Sequence, residues 1–468
     1  MNPEEIIKNT KRQQKWRDDL ERRKNAEALI DFYHNNQLPY MWKLYENLYE
    51  DQNTRSSMKA HSITLNLTEQ LVDQLAVAFK SGVAVELLKK GEEEQSEQTK
   101  KREDELKEIL TNAMFEPVLK MADKLCTLTS FCAISVVWDT ESKSIRLDVI
   151  PENICFVEQK PDNPREISAF YYQIAISENT PQLADAVSYY QKWTAETSEV
   201  VSVGSNGSIR TISSEPNPYK QIPIVSFRPS IPLFGFFCDE KPMFKNWNEI
   251  INKELTDYEL TRTAQSHAIL AVTDADGLTA IKTGQKSFVN LASSMGSGKQ
   301  AKIEYINSNV DIDRLFSTIE RLVEFFANSM GISASVYNNS QSDFSSGYQL
   351  KLSMSGVIDS VNERIPFYQK STQDLVKLIA KIYSYNSQDT FDNYEIYIKI
   401  KPLKIEMSEG EKIDTYLKKI TLGTISPVEI LMQEEKISRE EAEQRITQIN
   451  TDNNIGQGQT PPIDILGN

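Results

Sequence analysis

Apolar positions in this chain recur with two different periods, and the switches between them divide it. Residues 4–34 read as helix, rich in Glu, Lys, Arg and Gln, with apolar Leu20, Ala28, Leu29 and Phe32. The aromatic-rich stretch 31–49 reads as a helix-loop-helix whose rings seal a local core. Leu67, Leu71, Leu75 and Phe79 recur every fourth residue, so a helix is predicted over 63–80 with these four on one face. A charged run over 89–108 reads as a solvated loop leading into a helix, and another helix is expected over 115–130. From Ala133 the period drops to two. AISVVWDTESKSIRLDVI reads as strand, turn, strand, with Asp139 to Lys143 as the turn. NICFVEQ, ISAFYYQIAI, SYYQKWT, EVVSVGS and GSIRTIS continue as antiparallel strands, with a hairpin turn at Ser205-Asn206-Gly207. Pro216, Pro218, Pro223 and Pro229 mark an exit from the sheet into an extended connection.

The helical period then returns. Trp247, Ile250, Ile251, Leu255 and Tyr258 fall at helical spacing, as do Leu315, Ile319, Leu322, Val323 and Phe326. Between these two helices lies an insert of short strands and turns. After them comes a polar loop, SASVYNNSQSDFSS, and then a long helical pattern over 347–385 with Pro366 inside it, where a kink is expected. Glycine at 331 and at 347 would give the loop a hinge at each end. The loop holds one charge, Asp343, in a chain of which a quarter is charged, and a long connection between helices tends to be functional. A lone strand at 394–402 must pair elsewhere, and the sheet of the first part is the expected place. Helices follow over 408–450, with capping boxes expected at Ser426/Glu429 and Ser438/Glu441. The Asn-, Gly-, Gln- and Pro-rich tail from 451 is expected to be disordered. The fold class is α+β.

Charge narrows the function. The net charge of −15 argues against a coat that grips nucleic acid, which needs basic surface to release counterions. It leaves room for a partner past which DNA slides. No apolar run is long enough to span a membrane, and the charged N-terminus does not read as a signal peptide. Asn66, Asn206 and Asn338 head chance glycosylation matches. Cys126, Cys132, Cys155 and Cys238 have no metal-like spacing and are expected reduced among apolar neighbours.

Candidate chemistry fails on inspection. Met295–Lys299 lacks the upstream glycine and the following Ser or Thr of a phosphate loop, having Ser293 and Gln300 there. Asp274 and Asp276 open like a calcium loop, but position 12 is Gln285. Asp311 and Asp313 read as a helix cap, and three scattered histidines offer no triad. No catalytic, cofactor-binding or metal-binding residue is expected, and no enzyme.

Several stretches, in this order, resemble those of bacteriophage portal proteins, in particular the group typical of siphoviruses of Gram-positive hosts. They are ALIDFYHNNQ, SVVWDTESKSIRLDVIPENI, KQIPIVSFRPS, NEIINKELTDYELTRTAQSHAIL, SSGYQLKLSMSGVIDSVNERIPFYQKSTQDLVKLI and LGTISPVEILMQEEKISREEAEQRI. The resemblance implies an α+β wing over 1–240, a first stem helix over 241–268 and a small α/β clip over 269–310. A second stem helix would take 311–330, a tunnel loop 331–346, a long kinked tunnel helix with a returning wing strand 347–402, and a helical crown 403–450. It implies a homo-oligomer, a dodecameric ring at one capsid vertex, through which double-stranded DNA is packaged and ejected. Its partners would be the terminase large subunit, a head-tail adaptor, and the major capsid and scaffolding proteins, with no membrane. The site would be the virion, and the host cytoplasm during assembly. Asn338, Asn339, Ser340, Gln341 and Asp343 would face DNA from the tunnel loop, with Phe344 anchoring its base. Asp276, Lys282, Lys286, Lys299 and Lys302 would be the docking residues of the clip. Two other classes stay open: a non-viral oligomeric scaffold or adaptor with a helical stalk, and a nucleotide-driven enzyme, which the failed phosphate loop disfavours.

Overall fold

A computed structural model describes residues 19–91, 95–175, 186–204, 209–239, 241–266, 269–273, 302–306, 310–333, 354–387, 390–403, 409–435 and 437–452. Contacts divide the chain into two compact units. The first is Met1–Tyr337 with Gly356–Leu403, and the second is Asn338–Ser355 with Lys404–Asn468.

The first unit opens with four helices: α1 (19–33), α2 (Leu38–Leu48), α3 (Gln52–Ala60) and α4 (Leu67–Leu75). The aromatic segment folds as its pattern predicts, with Met41 and Tyr45 of α2 closing over Met58 of α3. Helix α4 is half the expected length. The Asn66 side chain caps its start by accepting from the Glu69 N–H at 3.2 Å. Beyond Leu75 the backbone spends its hydrogen bonds on turns: Lys80 N–H reaches Val77 C=O and Gly82 N–H reaches Phe79 C=O. Phe79 is still buried, but from a turn rather than from the helix face.

Next come β1 (Val83–Lys89), α5 (Glu97–Asn112) and α6 (Phe115–Thr129). Ser96 caps α5, inside the run read as loop and helix. The period-two region forms β2 (Cys132–Asp139), β3 (Ser144–Pro151), β4 (Cys155–Gln159), β5 (Ile167–Ile174), β6 (Ala186–Thr194), β7 (Thr197–Gly204), β8 (Ile209–Pro216) and β9 (Ile224–Phe227). These strands make two antiparallel sheets, in the orders β3-β2-β9 and β4-β5-β6-β7-β8. Strand β9 corrects the reading of that stretch as an exit from the sheet. The prolines at 216, 218, 223 and 229 flank residues 224–227 and leave their N–H groups free to pair with β2. The turn residues 205–207 lie outside the described residues. All four cysteines are buried and unpaired, and burial pushes the Cys126, Cys132 and Cys155 thiols well above their ordinary values.

Helix α7 (Met243–Ser266), the strands β10 (Ile269–Thr273) and β11 (Lys302–Ile306), and α8 (Ile312–Ser329) follow. Then α9 (Ser355–Ser387) runs without interruption through Pro366, and β12 (Tyr394–Ile400) comes last. Strand β12 does not join either sheet of the 132–227 region. It pairs with β1 in a separate two-stranded ribbon, Val83 opposite Ile400 through Lys89 opposite Tyr394. One hydrophobic core gathers side chains from α4, α5, α6, β1, β2, α7, α8, α9 and β12. Burying each large apolar side chain there contributes roughly 1.5–3 kcal/mol.

In the second unit, α10 (Glu409–Thr421), α11 (Pro427–Glu435) and α12 (Arg439–Asp452) are described. Both expected capping boxes form. Ser426 and Glu429 exchange bonds at 2.8 and 3.3 Å, and Ser438 and Glu441 do so at 3.0 and 3.4 Å. Residues 453–468 lie outside the described residues.

Candidate functional site: the helix pair and the glycine base

The site is built on three helices of the first unit. Helices α7 and α8 pack through aromatic rings. Trp247 stacks on Phe326 at 5.9 Å between centroids, and Tyr258 meets Phe316 at 5.6 Å. The chain leaves this pair and returns to it at one place. Strands β10 and β11 pair antiparallel from Ile269 opposite Ile306 to Thr273 opposite Lys302. The Gln265 side chain donates to Val310 C=O at 2.7 Å, and the Asp311 carboxylate caps α8 by accepting from Arg314 N–H at 3.0 Å.

Helix α8 ends in a Schellman motif. Ile332 N–H bonds to Ala327 C=O and Gly331 N–H to Asn328 C=O, both at 3.0 Å, with Gly331 at φ +77°. Only glycine takes that conformation without strain. Gly331 packs against Gly356, in the first turn of α9. A Cβ there would sit 2.6 Å from the Gly331 carbonyl oxygen, closer than real Cβ atoms come. Two glycine backbones therefore touch, and the segment between them begins and ends at a single point. The sequence gives both ends of the loop a glycine hinge, at 331 and 347. Gly331 packs against Gly356, and Gly347 lies outside the described residues.

Helix α9 is then fixed by a buried arginine. One Arg364 terminal nitrogen donates to Asp123 Oδ1 at 3.2 Å and to Thr127 Oγ1 at 2.6 Å. The other donates to Leu75 C=O at 2.7 Å, and Nε to Ser360 C=O at 3.2 Å. Asp123 Oδ2 accepts from Ala78 N–H at 2.8 Å. Burial raises the Asp123 carboxyl above its ordinary value, and Arg364 and the Ala78 N–H offset part of that. Tyr368, one turn after Arg364, stacks on Phe79 at 5.6 Å.

Helix α7 is fixed without charge. Asn248, Asn252 and Thr256 lie one turn apart, all fully buried. Asn248 accepts from Thr68 N–H and donates to Leu65 C=O; Asn252 accepts from Leu65 N–H; Thr256 accepts from Ile63 N–H. Both asparagines donate to the Gln37 side-chain Oε1. Sequence periodicity placed Ile250 on the buried face; it is 45% exposed, and this polar row takes the position beside Ile251.

Asn338, Asn339, Ser340, Gln341, Asp343 and Phe344 lie outside the described residues, as do Asp276, Lys282, Lys286 and Lys299. Lys302 opens β11, and its side chain is outside them too. Among the described residues no group of His, Cys, Asp and Glu is placed to hold a metal ion. No helix among them is long and apolar enough to cross a membrane.

The first unit combines helix and sheet, with the paired helices α7 and α8 separated in the chain by the strands β10 and β11. The profile of the family described as "Phage portal protein, SPP1 Gp6-like" matches residues 12–454, and the chain belongs to that family. No curated protein matches the chain. Among solved structures it is similar to chains of the "Neck of empty GTA particle computed with C6 symmetry", with TM-score 0.42, and the "Neck of native GTA particle computed with C12 symmetry", with TM-score 0.43. Each is 10% identical, over 82% of this chain and 94% of that one. At that identity the family match, not the structural likeness, identifies the chain.

Proposed function

We propose that the chain assembles into a dodecameric ring at one vertex of a phage capsid and forms the channel for packaging and ejecting double-stranded DNA. The observation that carries this is the family match over residues 12–454. The stem supports it. Ile250, Phe316 and Phe325 are 45%, 44% and 62% exposed on α7 and α8, apolar surface that a neighbouring copy would cover. The excursion from β10 to β11 is the clip, carrying Asp276, Lys282, Lys286, Lys299 and Lys302. It docks the terminase during packaging and the head-tail adaptor afterwards. Residues 331–346 are the tunnel loop, which leaves α8 at Gly331 beside Gly356 of α9. Asn338, Asn339, Ser340 and Gln341 give it neutral hydrogen-bonding groups that touch phosphates without ion pairs, and Asp343 adds a charge of the phosphates' own sign. A net charge of −15 per subunit keeps DNA from adhering during translocation.

Electron microscopy of the purified chain should show rings with a central hole. In capsids carrying N338K, N339K and Q341K together, ion pairs with phosphate should slow packaging several-fold at low salt, with relief at high salt. Unchanged packaging at low salt would place the loop away from the DNA. A chain that stays monomeric at high concentration would remove the ring.

A further inference from the structure

We propose that the outer edge of β12 is a strand-addition site for an extended, carboxylate-bearing segment of a separate polypeptide. The inference does not rest on the ring. In the β1–β12 ribbon, Lys90 N–H bonds to Asn393 C=O and Lys401 N–H to Gly82 C=O. Those bonds fix the alternation of the ladder. Val83, Val85, Leu87 and Lys89, with Ile400, Ile398, Ile396 and Tyr394 opposite them, form the non-hydrogen-bonded pairs, whose N–H and C=O groups point away from the ribbon.

One such pair is capped on both sides by side chains. On the β1 side, Leu87 N–H donates to Glu103 Oε2 at 3.0 Å, and its C=O accepts from Gln95 Nε2 at 3.2 Å. On the β12 side, Ile396 C=O accepts from Gln373 Nε2 of α9 at 2.9 Å. The next outward position on β12 is Ile398. Its N–H and C=O have no partner among the described residues. A cavity of about 420 Å³ lies there, and a second of about 560 Å³ lies on the other side of Gln373; Tyr397 lines both. The two form a trough between α9 and the outer edge of β12, which is open at Ile398; further along it, Tyr394 N–H is bonded to Phe391 C=O at 3.0 Å. Outward main-chain groups at strand spacing are satisfied by another extended backbone, not by a helix.

Charge states which segment fits. Lys90, Lys377 and Lys381 line the larger cavity and Lys399 the smaller, and none of the four has an ion-pair partner among the described residues; Lys90 donates to Asp392 C=O at 2.8 Å and Lys381 to Gln221 Oε1 at 2.9 Å. Glu86, Asp392 and Glu395 also line the trough, and Glu395 accepts from the Tyr397 hydroxyl at 2.6 Å. Four ammonium groups without an ion pair, against three carboxylates, therefore favour carboxylates spaced along the incoming strand, with Lys377 and Lys399 free of any side-chain hydrogen bond among the described residues, while the backbone supplies the binding.

The test uses three labelled eight-residue peptides on the full chain: alternating Val and Glu, alternating Val and Lys, and the Val/Glu peptide with a central proline. The Val/Glu peptide should bind and slow amide exchange at Ile398. The other two should bind about tenfold more weakly or not at all, because one meets the lysines with like charge and the other lacks a strand donor. K377E combined with K399E should weaken the Val/Glu peptide about fivefold without changing the melting temperature. Equal binding of the proline peptide, or no binding by any of the three, overturns the proposal. So does an Ile398 amide already protected in the peptide-free assembly and released on its dissociation, since the occupant is then a second copy of the chain.

Discussion

Helices α7 and α9 are both locked to the N-terminal half by buried polar groups, in opposite ways. On α9 the lock is one charged residue, Arg364, on Asp123, Thr127 and the Leu75 carbonyl. On α7 it is a row of three neutral residues, each with its own backbone partner on 63–68. A charge pair concentrates the cost of failure at one point, because losing either partner strands a buried ion. Neutral amides spread it, because losing one leaves the others bonded. The difference matches the placement. Arg364 lies two residues before Pro366, whose ring removes the N–H that would bond Asn362 C=O, so α9 is weakest there and is held from outside. Helix α7 has no such break and needs only its register fixed.

The largest expected effect is therefore at the charged lock. Arg364→Ala leaves Asp123 buried without its cation and should cost about 3–5 kcal/mol. R364L combined with D123L removes both charges and should recover most of that loss. All five tryptophans lie in the first unit, so their fluorescence during urea unfolding reads this unit. A single-site loss below about 1 kcal/mol, a surface-pair value, would make the lock an ordinary salt bridge.

Much of the element order was legible because it rests on local periods. The α1–α2 aromatics, the antiparallel strands from Cys132, and the caps at Asp311, Ser426 and Ser438 all follow from spacing and cap chemistry. What was not legible depends on distant partners. Residues 83–89 carry too short a pattern to read as a strand until β12, some 310 residues later, is there to pair with them. Asn248, Asn252 and Thr256 read as the polar side of α7, since nothing local shows that Gln37 and the 63–68 backbone come to meet them. Gly356 sits inside a helical pattern, and its close approach to Gly331 has no local signature except the glycine itself. The expected DNA-facing and docking residues came from family resemblance rather than from periodicity, and they fall on stretches outside the described residues.

The neutral lock should give the second, smaller effect. Asn252→Ala removes the acceptor of Leu65 N–H and one of two donors to Gln37, while Asn248 keeps its own bonds. The expected loss is about 1–3 kcal/mol by the same urea measurement. N248A with N252A should lose more than the sum of the single variants, because Gln37 Oε1 then has neither donor. Simple additivity would mean the row acts as separate bonds and that register is set by the flanking apolar contacts.

The smallest effect separates the two locks by pH. Burial already pushes the Asp123 carboxyl up, and Arg364 pulls it partly back, so Arg364→Ala should push it higher still. A carboxyl whose folded value lies above its unfolded one binds its proton more tightly in the folded state. The penalty of the stranded anion is therefore full above the folded value and fades as pH falls through it toward the unfolded value. The stability deficit of R364A should shrink by on the order of 1 kcal/mol as pH falls from neutrality toward the ordinary carboxylate range. The N252A deficit should stay flat over the same interval, because no ionisable side chain bonds to Asn252. Urea midpoints for both variants and the parent at two pH values decide it. Parallel curves for R364A and N252A would mean that Asp123 is already protonated at neutrality, and that the α9 lock is a guanidinium bonded to a neutral carboxyl rather than an ion pair.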